Sequence, residues 1–232
     1  MTEGILTLDI LSQALNGQVK IALPTSRAIA AVFDHRDSLQ ALGLDGCQIE
    51  EVAADLVKVR EAIWVDTDAL APIPASYLKS FQQRVAARYA DCSGARNRRL
   101  LIARRGPARM IHNLDQVEKL LARYGFETVY LETMSISDQV RLFQTAEFII
   151  GPHGAGLANL LFCEPGTKVI EFAPMVDVRP FFWLISDKLD LVHGVQFCTG
   201  ADGESFQAAL HVDMAKLDAL YRIVDAQDGR LR

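Results

Sequence analysis

Cysteine is scarce in this sequence. Cys47, Cys92, Cys163 and Cys198 are the four in 232 residues. They form no C-x-x-C and no zinc-ligand spacing, so neither a disulfide framework nor a structural zinc site is expected. Cys163 and Cys198 sit in apolar surroundings and read as buried thiols. No uncharged apolar run reaches about 18 residues, so no membrane span is expected. The first residues lack the basic start and small-residue cleavage site of a secretory leader. Neither charge dominates: 24 Lys and Arg face 29 Asp and Glu, a net charge of −5. That balance gives no global attraction to nucleic acid or acidic membranes. There is no internal repeat and no low-complexity tract. These absences together place the expected protein in a reducing cytoplasm, without a nucleic-acid partner. They leave peripheral membrane association and homo-oligomerisation open.

What is present is core. Half the residues are hydrophobic, ample for one large α/β domain or two small ones. Residues 5–15 read as a helix and 19–23 as a strand ended by Pro24. Ser26 can cap a helix running to Leu42, closed by Gly43. Residues 47–52 and 62–65 are further strand candidates. Residues 74–90 form a strong helix, with Tyr77, Leu78, Phe81, Val85 and Tyr89 on one stripe. The polar stretch 91–98, containing Gly94, is the linker candidate. The expected domains are therefore 1–93, a short or truncated α/β unit, and 94–232.

The second domain reads as alternating strand and helix, and hence a mainly parallel, Rossmann-like sheet. Strands are expected at 99–103, 126–131, 147–151, 168–172 and 191–197. Helices are expected at 116–124, 139–146, 157–163, 180–189 and 214–226. Ser135-x-x-Asp138 has the form of a capping box, Asp213 can cap the last helix, and Asn113 or Asp115 can cap the helix after the first strand.

The chain is organised around residues 148–174, FIIGPHGAGLANLLFCEPGTKVIEFAP. A buried strand ends in the glycine-rich turn Gly151-Pro152-His153-Gly154-Ala155-Gly156. A short helix and a second strand follow, and that strand carries Glu171. Small residues let backbone N–H groups approach a ligand, and a helix N-terminus offers unpaired donors, so the turn suits a phosphate or diphosphate. An acid on the next strand can accept ribose hydroxyls. Nicotinamide-dinucleotide sites share this outline. Gly154 and Gly156 fit the start of that fingerprint, but Asn159 replaces its third Gly or Ala. Glu171 also follows Gly156 by 15 residues, where that motif has about 20. A turn of the sheet with no ligand is the third reading.

The pattern G-x-H-G-A-G-L-x-N-x-L-F over 151–162, then P-G-T-x-V-I-E over 165–171, resembles the C-terminal signature of glycosyltransferase family 61, which includes bacterial capsular polysaccharide transferases. Upstream, Arg104-Arg105, Arg109 and Asn113 resemble its R-R…R-x-x-x-N segment. Gly125-Phe126-Glu127, Ser135 to Gln139, Leu142-Phe143 and Ala146 resemble its next conserved run. The resemblance is clear over about 98–198 and loose before that. Leu114 departs from it, since the family usually has Glu there.

This resemblance implies a GT-B architecture, two Rossmann-like domains facing across a cleft. It implies inverting transfer of a sugar from a nucleotide-sugar donor to a carbohydrate acceptor hydroxyl, generally without a metal or other cofactor. Arg104, Arg105 and the backbone N–H groups of Gly154, Ala155, Gly156 and Leu157 would stabilise the leaving diphosphate. His153 would hydrogen-bond the diphosphate or the sugar, or simply order its loop. Asn113, Ser135, Gln139 and Asn159 would line the donor site, and Glu171 would hold the ribose. His35, Asp37 and Asp66 are candidate general bases from the first domain. Asp66-Thr67-Asp68 mimics a metal-binding D-x-D but reads as solvated turn chemistry beside Pro72 and Pro74. A non-catalytic nucleotide-sugar-binding module and a dinucleotide-dependent oxidoreductase are the alternatives.

Overall fold

The structure is a computed structural model describing residues 20–24, 40, 42–43, 48–52, 74–89, 95–106, 108–176, 180–201, 203 and 205–227. The chain divides into two compact units, Met1–Ile73 and Pro74–Arg232. In the first, strands β1 (Lys20–Pro24) and β2 (Gln48–Val52) pair in parallel, Lys20 opposite Gln48. The helices expected at 5–15 and over most of 26–42, the strand at 62–65, and His35, Asp37, Asp66 and Asp68 lie outside the described residues.

The second unit opens with helix α1 (Ala75–Arg88), whose Leu78, Phe81 and Val85 are buried as the stripe predicts. The sequence reading assigned this helix to the first domain. Here it packs within the second unit: Lys79 pairs with Asp190 at 2.6 Å, and Tyr89 meets Ser137 at 3.1 Å.

A six-stranded sheet follows. Its strands are β3 (Arg98–Ala103), β4 (Phe126–Tyr130), β5 (Ala146–Pro152), β6 (Lys168–Pro174), β7 (Val192–Gly200) and the short β8 (Leu210–His211). Their order is β4-β3-β5-β6-β7-β8. The first five are parallel, and β8 is antiparallel at the edge. One register row runs Thr128, Leu101, Ile150, Ile170, Gly194. Parallel strands are covered on both faces, which is why LLIA and FII read as unbroken apolar runs and VIEFA as one interrupted only by Glu171. Leu101, Phe148, Ile150, Ile170 and Phe172 join Val117 and Leu121 of α2 (Leu114–Leu121) and Leu217, Tyr221 and Val224 of α5 (Met214–Asp225) in one core. Between these helices lie α3 (Ile136–Gln144) and α4 (Phe181–Lys188).

Element boundaries shift modestly from expectation. Helix α2 starts two residues early and ends in a tight 3-10 turn, Ala122–Tyr124, closed by Gly125 at φ 77°. The expected helix at 157–163 is a 3-10 segment, Ala155–Phe162. Strand β8 was not foreseen. Asp213 caps α5 as read, accepting from the backbone N–H groups of Ala215 and Lys216.

Counted from β3, the parallel strands run 2-1-3-4-5. The chain therefore reverses its direction of travel between β3 and β5, and open α/β sheets bind ligands at the carboxyl ends of the strands flanking such a switch point.

Candidate functional site at the switch point

Strands β3 and β5 deliver opposite halves of one site. The first ends in Ala103-Arg104-Arg105, and the second in Gly151-Pro152-His153-Gly154. Gly154 is nearly extended, with φ 159° and ψ −179°. A Cβ placed on it would lie 2.9 Å from Arg104 Nη1 and 3.7 Å from both Cζ and Nη2 of Arg109. Two guanidinium groups thus converge on a bare stretch of backbone. Arg104 has no hydrogen-bond or ion-pair partner among the described residues. Arg109 holds a left-handed backbone (φ 54°) and lies over the Phe206 ring at 4.6 Å.

Arg105 goes elsewhere. Its guanidinium lies 4.7 Å over the Tyr130 ring at the end of β4, and its N–H donates to Glu132 Oε1 at 2.8 Å. β4 borders β3 on the side away from β5, so the adjacent arginines serve opposite sides of β3.

The 3-10 segment begins at Ala155. Leu157 N–H donates to the Gly154 carbonyl at 2.9 Å and its side chain is fully buried. That N–H, expected to face a diphosphate, is already used. The N–H groups of Ala155 and Gly156 precede the first intrahelical bond and have no partner within the segment.

His153 is 5 % exposed, yet it sits at the site. Its backbone N–H extends the ladder to Phe172 O at 2.8 Å. Its ring packs edge-on against Phe182 at 4.9 Å and Phe206 at 5.6 Å. Its Nδ1 hydrogen-bonds Glu171 Oε1. Glu171 has partners other than the ribose expected of it: it is 3 % exposed, and its second oxygen lies 3.1 Å from His193 Nε2. Burial alone would push this carboxyl up. The hydrogen bonds from His153 and His193 outweigh burial and hold it below the usual carboxylate range.

The other expected donor-site residues are bonded within the fold. Ser135 Oγ accepts from Asp138 N–H at 3.1 Å, the capping role read from the sequence. Gln139 donates to the Leu131 and Met134 carbonyls, and its Oε1 accepts from Asn159 Nδ2 at 2.9 Å. Asn159 also donates to Gly156 O at 3.1 Å. Asn113 makes no side-chain cap. Its amide pairs with the Val212 backbone in both directions, at 2.9 and 3.0 Å, as a neighbouring strand would. Arg109, Phe182, Phe206, His193 and Ser186 were not proposed as site residues. Only Arg109 carried a signal, its place in the R-R…R-x-x-x-N segment. Among the described residues, no group of three or more His, Cys, Asp or Glu is disposed to hold a metal ion, and no helix is long and apolar enough to cross a membrane.

Comparison with known proteins places the chain among glycosyltransferase relatives. The family model described as Glycosyltransferase 61 matches residues 6–170. The match reaches into the first unit, where the sequence resemblance was loose. Beta-1,2-xylosyltransferase RCN11 of Oryza sativa subsp. japonica is 45 % identical over 53 residues, 23 % of this chain and 10 % of that protein. Alpha-1,3-arabinosyltransferase XAT3 of the same organism is 37 % identical over 79 residues, 33 % of this chain and 14 % of that protein. Xylan glycosyltransferase MUCI21 of Arabidopsis thaliana is 30 % identical over 97 residues, 40 % of this chain and 20 % of that protein. The matched stretches thus span a fifth or less of these relatives' own length. With the family match running from the first unit into β6, over more than half of its length, this chain belongs to the glycosyltransferase 61 family.

Proposed function

We propose that this chain transfers a sugar from a nucleotide-sugar donor to a carbohydrate hydroxyl, in polysaccharide biosynthesis and with inversion at the anomeric carbon. The observation that carries the reading is Arg104, a cation without a protein partner among the described residues, set against Gly154 at the switch point. As the glycosidic bond to the diphosphate breaks, negative charge grows on the leaving group. Preorganised donors aimed at that charge lower the barrier most. Arg104 and Arg109 supply two guanidinium forks, and Ala155 and Gly156 supply backbone N–H groups. Arg105, stacked on Tyr130, borders the site rather than meeting the phosphates. The reading includes a GT-B arrangement, with the general base drawn from the first unit, where His35, Asp37 and Asp66 are the candidates.

The relatives are named for xylosyl and arabinosyl transfer, so UDP-xylose and UDP-arabinose head the donors to be tried. The test is a thermal-shift panel of these donors, the nucleoside diphosphates and the nicotinamide dinucleotides. A ligand at about 100 times its dissociation constant adds about 2.7 kcal/mol, enough to see. Stabilisation by a nucleoside diphosphate and its sugar conjugate is expected. Stabilisation by nicotinamide dinucleotides alone, or by nothing, overturns the reading. Binding without turnover on any glycan acceptor leaves the non-catalytic donor-binding module.

A further inference from the structure

Three polar side chains form a diagonal across β5, β6 and β7. Gly151 pairs with Glu171, and Glu171 with Val195. His153 lies two residues beyond Gly151 and His193 two residues before Val195. Strand alternation therefore puts both on the Glu171 face, away from Ile170 and Phe172. The side chains of His153, Glu171 and His193 are 6 %, 4 % and 2 % exposed. Helix α4 covers them. Its Phe182 packs on His153, and its Ser186 Oγ lies 2.7 Å from His193 Nδ1.

This arrangement dictates where the hydrogens are. An ionised carboxylate can only accept, so each imidazole nitrogen facing Glu171 carries hydrogen. For His193 that nitrogen is Nε2, which leaves Nδ1 to accept from the Ser186 hydroxyl. For His153 it is Nδ1, which in the neutral imidazole leaves Nε2 as a bare acceptor. Phe182 and Phe206 hold the ring on two sides. Nothing among the described residues hydrogen-bonds Nε2, and the next residue is Gly154, where Arg104 and Arg109 converge.

We propose that Glu171 and His193 are positioning residues: anchored by Ser186, they fix His153 in the Nδ1–H tautomer and present Nε2 as an acceptor for a hydroxyl of the bound nucleotide sugar. The proposal rests on the glycosyltransferase reading only for the identity of that ligand. It divides the labour of the site. The arginines take the anion. His153, whose bare nitrogen repels a phosphate oxygen, takes a hydroxyl. The carboxylate acts on the ligand through the imidazole and does not touch the ribose itself.

Long-range nitrogen–proton correlation spectra of the isotope-labelled chain at neutral pH read tautomers directly. Peaks are assigned by their loss in His153→Gln and His193→Gln. Opposite tautomers are expected in one spectrum, Nδ1–H for His153 and Nε2–H for His193. Glu171→Gln, whose amide both donates and accepts, is expected to mix the His153 tautomers. His193→Gln, which keeps a donor towards Glu171, is expected to preserve them. Inorganic pyrophosphate should shift the Arg104 guanidinium signals and leave His153 Nε2 unprotonated. If pyrophosphate moves nothing while the tautomers are as stated, the anion-site reading fails and the positioning role stands. A His153 Nε2 shift with UDP assigns the ribose hydroxyl, and one appearing only with UDP-xylose assigns the transferred sugar. Glu171→Gln should weaken that binding about tenfold, the scale of one hydrogen bond to a charged or strongly polar group. The proposal is overturned by an Nε2–H or doubly protonated His153 in the unsubstituted chain. It is overturned equally by an unchanged tautomer in Glu171→Gln, by pyrophosphate protonating Nε2, or by bound UDP-xylose leaving Nε2 unshifted.

Discussion

Replacing Arg104 with Ala separates stability from binding. The side chain is only partly buried and has no hydrogen-bond or ion-pair partner among the described residues, so folding loses little with it. Substitutions at such positions stay within about 0.5 kcal/mol. For a chain of this size that is a melting shift below about 2 °C. Binding should move far more. One charge-assisted hydrogen bond is worth about 1.5–3 kcal/mol. At about 1.4 kcal/mol per factor of ten, affinity for a nucleoside diphosphate should fall about 10- to 150-fold. Arg104→Lys keeps the charge and loses the planar fork, so it should recover only part of the loss. Titration calorimetry with the best nucleoside diphosphate of the thermal panel, on variants matched for melting temperature, gives both numbers. Unchanged affinity in Arg104→Ala would remove this residue, and with it the main support for an anion site between β3 and β5.

Other substitutions test the frame. In Gly151→Ala the new Cβ would meet Ile102 Cβ at 2.8 Å. A β-branched, buried neighbour cannot step aside, so a loss of about 1–3 kcal/mol is expected in the denaturant midpoint. Ser135→Ala removes the acceptor for Asp138 N–H at the start of α3 and should cost about 0.5–2 kcal/mol in the same assay. Glu171 lies below its ordinary carboxyl value in the folded chain. The unfolded chain therefore binds more protons near pH 4, the ordinary Glu value being about 4.3. Its contribution is complete above that value and is lost as the pH falls through the folded one, so stability should drop on acidification, and less steeply in Glu171→Gln. Burial pushes the Cys163 thiol up, and that of Cys198 up to about 12. Peptide mapping after thiol-reagent treatment at mildly alkaline pH should find both unmodified until the protein is denatured.

The second unit was largely legible because its central strands are mostly apolar and its turns carry their own chemistry. The runs at 99–103, 148–150 and 168–172 needed no partner to be recognised, and Ser135 and Asp213 capped their helices as their spacing suggested. What was missed depends on register and strand order, which no local pattern carries. Glu171 looked like a ribose acid because it follows a glycine turn and a helix. Its true neighbours, His153 and His193, lie one strand to either side. Asn113 looked like a cap, but the chain returns Val212 to it from 99 residues away. Arg104 and Arg105 looked like a pair, yet successive residues leaving a strand part company, and only one turns towards β5. Read with the register known, the parity of His153, Glu171 and His193 would have linked the three.

The pairing of Asn113 with Val212 has a further consequence. Arg109 N–H donates to Gln207 O, Leu210 N–H to Met110 O and His112 N–H to Leu210 O, so residues 109–113 are zipped along 207–212. Phe206, the floor beneath both Arg109 and His153, belongs to the same returning segment. During synthesis β3 to β6 can pair as they emerge, but the loop carrying Arg109 has nothing to dock on until residue 212 is available. The corner that carries Arg109 therefore takes shape only after the sheet strands before it in the chain. A growing chain would hold a formed sheet well before it held a competent site, and donor binding would report completion of the fold rather than its onset.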